Sequence, residues 1–376
     1  MPTSGLTLPW EDGSRPCVMA APHLEGWAAR ASGFLSRNGI DDAIAFATSG
    51  SSGSPPKAIV FTRRALDICA RGALDHLHAD RGDWCCPLPV WHVGGAMIYL
   101  RAALAGTKVY HLPGKWTPHA YADLMRSSGA WWSSLVPTQV IDLVNQGLTA
   151  PDTVRCIIVG GGGLDRQTGE QARALGWPVV QSYGMTESGS QLATALPRDP
   201  YHTDRLAILP HWEVATDEGG RAMFQGPGKP CGRLLTEEGG GFRYEPAPPE
   251  AWWTTQDLIR LEDRLLTFLR RADRLVKILG ELVDPDAVQD GLRRHEPNAV
   301  VEAMPHPRTG MELIACGPCA PRLAEACRRW NAQAPGPQRV HTMYEAAIPL
   351  TDMGKINRKL LQDMLRRETA KWLSVE

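Results

Sequence analysis

Short apolar runs with strand character alternate with segments of helical spacing over the first half of the chain. The run "VRCIIVGGGGL" ends in four glycines, the segment "RQTGEQARALG" has helical spacing, and the strand-like run "PVVQSYGMTE" follows. This alternation is typical of sheets whose parallel strands are joined by crossover helices. The chain is therefore predicted to be an α/β protein, with ligand chemistry beyond the carboxyl ends of its strands.

The pattern changes after about Leu196. Two glycine-rich segments, "PHWEVATDEGGRAMFQGP" and "CGRLLTEEGGGFRYEPAP", predict β-hairpins. A smaller region of mixed helices and strands then runs to the C-terminus. We predict a large N-terminal domain over residues 1–272, with mixed and parallel sheets flanked by helices plus a small β-rich part. A small, mobile α+β domain is predicted over residues 273–376.

Composition excludes several classes of function. The formal net charge is −1, so no global field favours nucleic acid or anionic lipid. No apolar run is long enough to span a bilayer, and the N-terminus lacks the layout of a signal peptide. These features predict a cytoplasmic protein. The lone "CGPC" segment has no second cysteine pair, which favours incidental thiols over a metal site.

The segment "ATSGSSGSPPKAIVFT" places many small residues before Lys57 and an apolar run. Small residues let backbone N–H groups converge on an anion, and a lysine supplies countercharge. A phosphate-holding loop is therefore predicted. The segment lacks the GxxxxGK[ST] pattern of nucleoside triphosphatases, and a solvated surface loop is the alternative.

Eight motifs stand in a fixed order along the chain and distinguish these alternatives. They are "TSGSSGSPPK", "VWHVGG", "SLVPTQ", "VGGGGL", "SYGMTESG", "WTTQDL", "LRRADRLVKILGELVDP" and "PLTDMGKINRKLL". This ordered set resembles the adenylate-forming superfamily, which comprises acyl- and aryl-CoA synthetases, peptide-synthetase adenylation domains and luciferases. The resemblance extends from Ala47 almost to the C-terminus. Within the superfamily, "PLPVWHVGG" and "SLVPTQ" look most like the o-succinylbenzoate–CoA ligases of menaquinone synthesis.

The resemblance implies ATP, Mg²⁺ and coenzyme A as cofactors, and a carboxylic acid as substrate. The residues that match the phosphate-holding loop are Thr48, Ser49, Gly50, Ser51, Ser52, Gly53 and Lys57. The residues that match the adenine site are Gly161, Gly162, Gly163 and Tyr183. Thr186 matches the α-phosphate contact and Glu187 the Mg²⁺ ligand, for which an ordinary surface acid is the alternative. Asp257 and Arg271 match the two ribose contacts.

The C-terminal motifs imply a second set of roles. Lys355 matches the catalytic lysine that bridges the reacting carboxylate and the α-phosphate, although it is also one more cation in a basic segment. Asp273 matches the hinge about which the small domain rotates. Lys277 and Gly280 match residues that border the thioester-forming tunnel.

His92 separates the subfamilies. Amino-acid-activating members usually carry an aspartate near this segment, and "PVWHVGG" has none. A histidine there fits an acyl- or aryl-CoA synthetase, in which it borders the acyl pocket. A structural histidine is the alternative.

The chain departs from the superfamily pattern in several places. The phosphate loop has one extra residue before Lys57, Arg270 replaces the usual glycine, and Gln256 replaces the glycine of "TGD". Only 47 residues precede Thr48, so part of the usual N-terminal region is expected to be missing. A homodimer could cover the surface left open.

Four functions follow as hypotheses. The first is an ATP-dependent acid–CoA ligase acting on 2-succinylbenzoate. The others are another aryl- or acyl-CoA ligase, an adenylating enzyme that loads a carrier protein, and a non-catalytic nucleotide-binding relative. Retention of Lys355 argues against the last, because nucleotide binding alone does not need it.

Overall fold

The computed structural model describes residues 15–48, 55–351, 354–368 and 371–375. The chain divides into two compact units. The first comprises the chain up to Thr255 together with Ile259–Phe268. The second comprises Gln256–Leu258 and the chain from Leu269 onward. The domain boundary after residue 272, which the sequence predicts from the hinge motif, stays a prediction.

The helices and strands of the described residues follow the predicted alternation closely. The α-helices are α1 (Glu25–Arg37), α2 (Arg63–Leu77), α3 (Val93–Ala105), α4 (Pro118–Ser128), α5 (Pro137–Asn145), α6 (Arg166–Ala174), α7 (Pro285–Arg293), α8 (Ala320–Asn331) and α9 (Arg358–Arg367). The strands up to the second hairpin are β1 (Cys17–Met19), β2 (Ala43–Thr48), β3 (Lys57–Thr62), β4 (Trp84–Cys86), β5 (Val109–His111), β6 (Trp132–Leu135), β7 (Cys156–Val159), β8 (Val179–Tyr183), β9 (Ala193–Thr194), β10 (Leu206–Ile208), β11 (Glu213–Thr216), β12 (Arg221–Gln225), β13 (Gly232–Thr236) and β14 (Phe242–Pro246). The remaining strands are β15 (Trp253–Glu262), β16 (Leu265–Arg271), β17 (Val276–Ile278), β18 (Glu281–Val283), β19 (Val300–His306), β20 (Gly310–Gly317), β21 (Thr342–Glu345) and β22 (Trp372–Ser374).

A parallel sheet forms the centre of the first unit, as predicted. Strands β5, β4, β6, β7 and β8 lie side by side and parallel. β8 then pairs with the antiparallel β9, and the sheet continues through β10, β16, β15, β12 and β11. Side chains such as Ile157, Val159 and Val179 are fully buried in its core. Each such side chain contributes about 1.5–3 kcal/mol by leaving water.

The helices that cross this sheet begin at residues suited to helix starts. The α6 N-cap is Asp165, whose carboxylate accepts a hydrogen bond from the Thr168 N–H at 2.9 Å. Helix α5 begins at Pro137, and proline is well suited to the first helical position. Helix α6 begins at Arg166, the first residue of the predicted segment "RQTGEQARALG".

The strand before the phosphate loop lies outside this parallel sheet. β2 belongs to a second sheet of order β1-β2-β3-β13-β14. It pairs antiparallel with β3, with Thr48 opposite Lys57. The phosphate-loop sequence therefore connects two antiparallel neighbouring strands. The apolar face of this sheet packs against α1, with Trp27, Leu35 and Val60 buried between them.

Both predicted hairpins are present, in different sheets. β11 and β12 pair at one edge of the large sheet, and β13 and β14 pair at one edge of the second sheet. The second unit contains the four-stranded sheet β19-β20-β21-β22, the hairpin β17–β18 and helices α7 to α9. Within the described ranges, no helix is both long enough and apolar enough to cross a membrane.

Candidate active site

Two loops of the first unit lie side by side, because they follow neighbouring parallel strands. Gly160–Gly163 follow β7 and the segment from Gly184 follows β8, and Val159 pairs in register with Gln181. Gln181, on β8, is 5% exposed and ties this strand to the first loop: its Nε2 donates to the Gly162 carbonyl at 3.0 Å. Its Oε1 accepts from the Leu164 N–H at 3.0 Å. The sequence analysis missed Gln181, although an amide within an apolar strand run was a usable signal.

Tyr183 forms an aromatic pair at the end of β8. Its ring centroid lies 5.8 Å from that of Phe268, with the planes inclined at 31°. Tyr183 is half-buried, and Phe268 is 42% exposed. An accessible aromatic surface beside a glycine loop suits a planar base, which stacks on rings with little cost in ordering.

Thr186 and Glu187 lie on a short 3₁₀ turn, Thr186–Ser188, that is hydrogen-bonded on both sides. The Ser188 hydroxyl accepts from the Met185 N–H at 3.0 Å and donates to the Met185 carbonyl at 3.1 Å. Ser188 is fully buried, while Thr186 and Glu187 are half-buried. The turn therefore holds two accessible polar side chains on a fixed backbone.

Gly184 is required by a close backbone approach at this turn. A Cβ atom at Gly184 would lie 1.9 Å from the Ser190 carbonyl oxygen. Ser190 itself has φ of 99°, which is unusual for a residue with a side chain. The chain thus reverses sharply over Gly184–Ser190, as strained backbone at functional sites often does.

A buried cation lies beneath this turn. Arg101 is 1% exposed and donates to the Gln191 Oε1 at 2.6 Å, and its guanidinium lies 5.8 Å from the centre of the Trp84 ring. Among the described residues no carboxylate pairs with it. Burial lowers the pKa of Arg101 to about 10. The sequence analysis missed Arg101, which stands out as a charge within the apolar helix α3.

Gln191 extends this network into the sheet. Its Nε2 donates to the Thr194 hydroxyl at 2.8 Å, and that hydroxyl lies 2.9 Å from the Ser182 hydroxyl. The Gln191 carbonyl accepts from Trp212 Nε1 at 3.0 Å. The loop that follows Thr186 and Glu187 is therefore anchored to buried groups on three sides.

His92 precedes helix α3 in a tight turn. Its N–H donates to the Pro89 carbonyl at 3.2 Å, and its ring centroid lies 6.3 Å from that of Trp91. Gly95 is needed here, since a Cβ would lie 2.3 Å from the Pro89 oxygen. His92 is half-buried, and its role at the acyl pocket stays a prediction.

The two ends of the phosphate loop are adjacent. The Thr48 hydroxyl lies 3.5 Å from the Lys57 carbonyl oxygen, and both residues are half-buried. Ser49, Gly50, Ser51, Ser52 and Gly53 lie outside the described residues, as does Ser54. The effect of the extra residue before Lys57 therefore stays a prediction.

In the second unit, Arg271 bridges two carboxylates. Its Nε and Nη2 donate to both oxygens of Asp273 at 2.8 and 2.6 Å. Its Nη1 lies 3.4 Å from Asp257 Oδ1. These hydrogen bonds from Arg271 hold the pKa of Asp273 below its usual value. The predicted ribose contacts and the predicted hinge residue thus form one cluster, which the sequence did not reveal.

Lys355 lies in a closed loop before α9. Leu350 and Ile356 form an isolated antiparallel bridge, and the Thr351 N–H donates to the Lys355 carbonyl at 2.7 Å. Gly354 has φ of 67°, which glycine adopts without strain. The Lys355 side chain is exposed as a whole, although desolvation and the positive charge of Arg271 lower the pKa of its ammonium. The loop therefore presents an accessible cation on a shaped backbone.

Lys277 and Gly280 lie on the hairpin β17–β18. Lys277 pairs with Leu282, and the connecting residues Leu279 and Gly280 have φ of 52° and 85°. Two successive positive φ values define the tight turn that suits the twist of a two-residue hairpin. Leu279 is 61% exposed, so the hairpin tip is accessible.

A magnesium ion fits the donor set around Glu187 when phosphates share its coordination. The described residues contain no cluster of three or more metal-ligating side chains. Mg²⁺ in nucleotide sites is typically held by one or two carboxylates together with substrate phosphates and water. Glu187 would supply the protein ligand of such a set, and its role as the Mg²⁺ ligand stays a prediction.

The parallel sheet, the two adjacent loops at its strand ends and the loop that carries Lys355 are typical of enzymes that bind a nucleotide and activate a substrate with it. The sequence profile described as "AMP-binding enzyme" matches residues 36–238, and the chain belongs to this family. A probable 2-succinylbenzoate–CoA ligase from Mycobacterium tuberculosis is 28% identical over 371 residues, covering 93% of this chain and 91% of the relative. The 2-succinylbenzoate–CoA ligase of Listeria monocytogenes is 26% identical, covering 84% of this chain and 68% of the relative.

Solved structures agree on the fold. The o-succinylbenzoate CoA synthetase (MenE) from Bacillus subtilis, in complex with the acyl-adenylate intermediate OSB-AMP, gives a TM-score of 0.69 at 22% identity. The matched region covers 85% of this chain and 69% of the Bacillus subtilis chain. A point variant of the E. coli MenE with bound OSB-AMS gives a TM-score of 0.72 at 23% identity, covering 86% of this chain and 69% of that chain. The predicted fold class and family are confirmed.

Proposed function

We propose that this chain is an ATP-dependent acid–CoA ligase that acts on 2-succinylbenzoate, a step of menaquinone biosynthesis. The observation that carries the proposal is the likeness to a probable 2-succinylbenzoate–CoA ligase over nearly the whole of both chains. The paired loops after β7 and β8 supply a nucleotide site of the required kind. Carboxylic acid, ATP and CoA are then small-molecule substrates.

In the first half-reaction, a substrate carboxylate oxygen attacks the α-phosphorus of ATP. The bond to the β-phosphate breaks, and pyrophosphate leaves with the electron pair. Thr48, Lys57 and the loop between them hold the β- and γ-phosphates, and Thr186 contacts the α-phosphate. Glu187 would hold Mg²⁺, and the ion would supply positive charge against the phosphate oxygens. Lys355 stabilises the negative charge that develops between carboxylate and phosphate.

Other residues bind the adenine and ribose of the nucleotide. Tyr183 and the glycines after β7 flank the adenine, and the buried Asp257 accepts hydrogen bonds from the ribose hydroxyls. Arg271 supplies the second ribose contact. Rotation about Asp273 then exchanges the Lys355 loop for the hairpin that carries Lys277 and Gly280. In the second half-reaction the CoA sulfur attacks the acyl carbon, AMP leaves, and the thiol proton passes to solvent.

The choice of acid rests on the names of the relatives, two of which are 2-succinylbenzoate–CoA ligases by name. The substrate 2-succinylbenzoate keeps one carboxylate when the other is activated.

A coupled assay for pyrophosphate and CoA thioester tests the function. The acids are 2-succinylbenzoate, benzoate, 4-coumarate, and medium- and long-chain fatty acids, each with ATP, Mg²⁺ and CoA. We expect thioester from 2-succinylbenzoate alone. Thioester from a different acid would keep the mechanism and discard the substrate. Pyrophosphate without thioester would indicate a carrier protein as acceptor, and no pyrophosphate at all would favour a non-catalytic nucleotide-binding relative.

Lys355→Ala tests the division of labour between the half-reactions. We expect adenylate formation to fall by about a hundredfold or more, while thioester formation from supplied acyl-adenylate persists, because Lys355 serves only the first step. Lys359→Ala, a change of an exposed lysine four residues further on, is the matched control and should leave both steps intact. Equal loss of both steps in Lys355→Ala would contradict the assigned role.

A homodimer and a cytoplasmic location are further parts of this proposal. Light scattering of the purified chain tests the first, and fractionation of the source cells tests the second. A monomer at micromolar concentration would contradict the proposed homodimer and would leave the proposed catalytic roles unaffected.

A further inference from the structure

Two carboxylates, one of them fully buried, join two segments of the second unit that the proposed mechanism uses separately. Glu302 on β19 is fully buried, and Asp286 at the start of α7 is partly exposed. Arg274, directly after the predicted hinge residue, contacts both carboxylates. Its Nη1 lies 3.4 Å from Glu302 and its Nη2 lies 3.3 Å from Asp286.

Arg358 contacts the same two carboxylates, Glu302 and Asp286, from the start of helix α9. It lies three residues after Lys355, at the first position of α9. Its Nη1 bonds Glu302 Oε1, and its Nη2 lies 2.8 Å from Asp286 Oδ1. Gln362, one turn further along α9, donates to Glu302 Oε2 at 2.9 Å. Two residues of α9 thus converge on one carboxylate.

Glu302 has more charged and polar partners than packing alone would require. A buried carboxylate is tolerated only where donors surround it, and hydrogen bonds to ionised groups are the stronger and more directional ones. The planar guanidinium of Arg358 engages two carboxylates at once, which fixes its direction as well as its position. The first turn of α9, and with it the chain leaving Lys355, is held against β19 and α7.

We propose that Glu302 is a positioning residue for Lys355, acting through Arg358 on the lysine loop and through Arg274 on the segment that follows the hinge. The inference rests on the proposed function for its catalytic consequence. The loop is closed by local bonds such as Asn357 N–H to the Pro349 carbonyl at 2.7 Å. Those bonds fix the conformation of the loop. The contacts of Arg358 with Glu302 and Asp286 fix the position of the loop within the second unit.

Glu302→Gln tests the proposal, because it keeps the shape and removes the charge. We expect adenylate formation to fall by about tenfold to a hundredfold, with KM for ATP unchanged, since small misplacement of a catalytic group has effects of that size. Thioester formation from supplied acyl-adenylate should persist. Glu296→Gln is the matched control, a buried glutamate of the same unit whose Oε1 accepts from the Asn298 N–H at 3.2 Å.

Combination with Lys355→Ala separates positioning from general destabilisation. If Glu302 acts through Lys355, Glu302→Gln adds no further loss of adenylate formation in the Lys355→Ala background. An additive loss would overturn the proposal, as would equal loss in both half-reactions. Arg358→Lys, which keeps the charge and loses the two-armed contact, provides a second variant should Glu302→Gln not fold.

Hydrogen exchange supplies a readout that does not depend on activity. We expect Glu302→Gln to raise amide exchange in the peptide that contains Gly354–Arg358, and Glu296→Gln to leave it unchanged. Unchanged exchange in both variants overturns the positioning role. If the wild-type chain forms no adenylate with any acid, the proposed function fails, and exchange alone then decides whether Glu302 holds the loop.

Discussion

At the scale of single residues, the site relies on side chains held by backbone that other residues fix. Glu187 is the clearest case. It is half-buried on a turn that the buried Ser188 closes with two hydrogen bonds. A single carboxylate held in this way can share a cation with phosphate oxygens. Its contribution should therefore appear in the metal dependence of turnover.

Glu187→Gln should raise the Mg²⁺ concentration for half-maximal turnover by about tenfold or more, because a neutral amide is a weaker ligand for a hard cation. Metal-free binding of ATP should change much less. Turnover against Mg²⁺ concentration and calorimetric titration with ATP measure the two effects. Glu170→Gln, at an exposed position on α6, is the control. A matched loss of ATP binding and turnover would contradict the metal role.

At the scale of elements, close approaches decide where the site loops stand. The turn from Gly184 to Ser190 brings a backbone carbonyl against a glycine Cα, and a backbone atom cannot move aside as a side chain can. The neighbouring loop shows the contrast: a Cβ at Gly160 would meet nothing within 4 Å. A side chain should therefore be tolerated at Gly160 and not at Gly184.

Gly184→Ala should destabilise the protein by about 1–3 kcal/mol, the usual cost of forcing atoms into a packed site. It should also lower adenylate formation, because Thr186 and Glu187 follow directly. Urea unfolding and the pyrophosphate assay measure these effects. Gly160→Ala should alter stability by less than about 1 kcal/mol. Equal stability of the two variants would show that the turn relaxes around the added methyl group.

At the scale of the whole molecule, half-buried histidines make stability depend on pH. Desolvation lowers the pKa of His211 to about 4, and it also lowers the pKa values of His76 and His111. A histidine with a lowered folded pKa binds its proton more readily when the chain is unfolded. Below the unfolded pKa of about 6.5, acid therefore favours unfolding.

We expect the free energy of unfolding to fall between about pH 6.5 and pH 4, with His211 contributing about 1–3 kcal/mol of that loss. His211→Asn stays neutral in both states, so its unfolding free energy should fall less over this range. Urea titrations at several pH values measure the slopes. Parallel slopes for the variant and the wild type would show that His211 does not cause the loss.

Long-range pairing accounts for what the sequence analysis missed. Strand β2 (Ala43–Thr48) lies in a second sheet, which the local sequence pattern does not predict. That sheet forms because β3 pairs with β13, so that Ala58 lies opposite Leu234. The same limit applies to Arg101 and Gln191, whose hydrogen bond joins positions 90 residues apart. Periodicity reports whether a residue is buried, and does not report which residue it meets.

The sequence by itself determined the order of elements, the parallel centre of the first unit and the family, and it predicts the residues of a nucleotide site. These follow from local properties: period, turn chemistry and motif order along the chain. Only the tertiary structure decided that Arg271 pairs with Asp273 and that Glu302 gathers Arg274, Arg358 and Gln362. Burial of a charge requires partners, and the packing of distant segments chooses them.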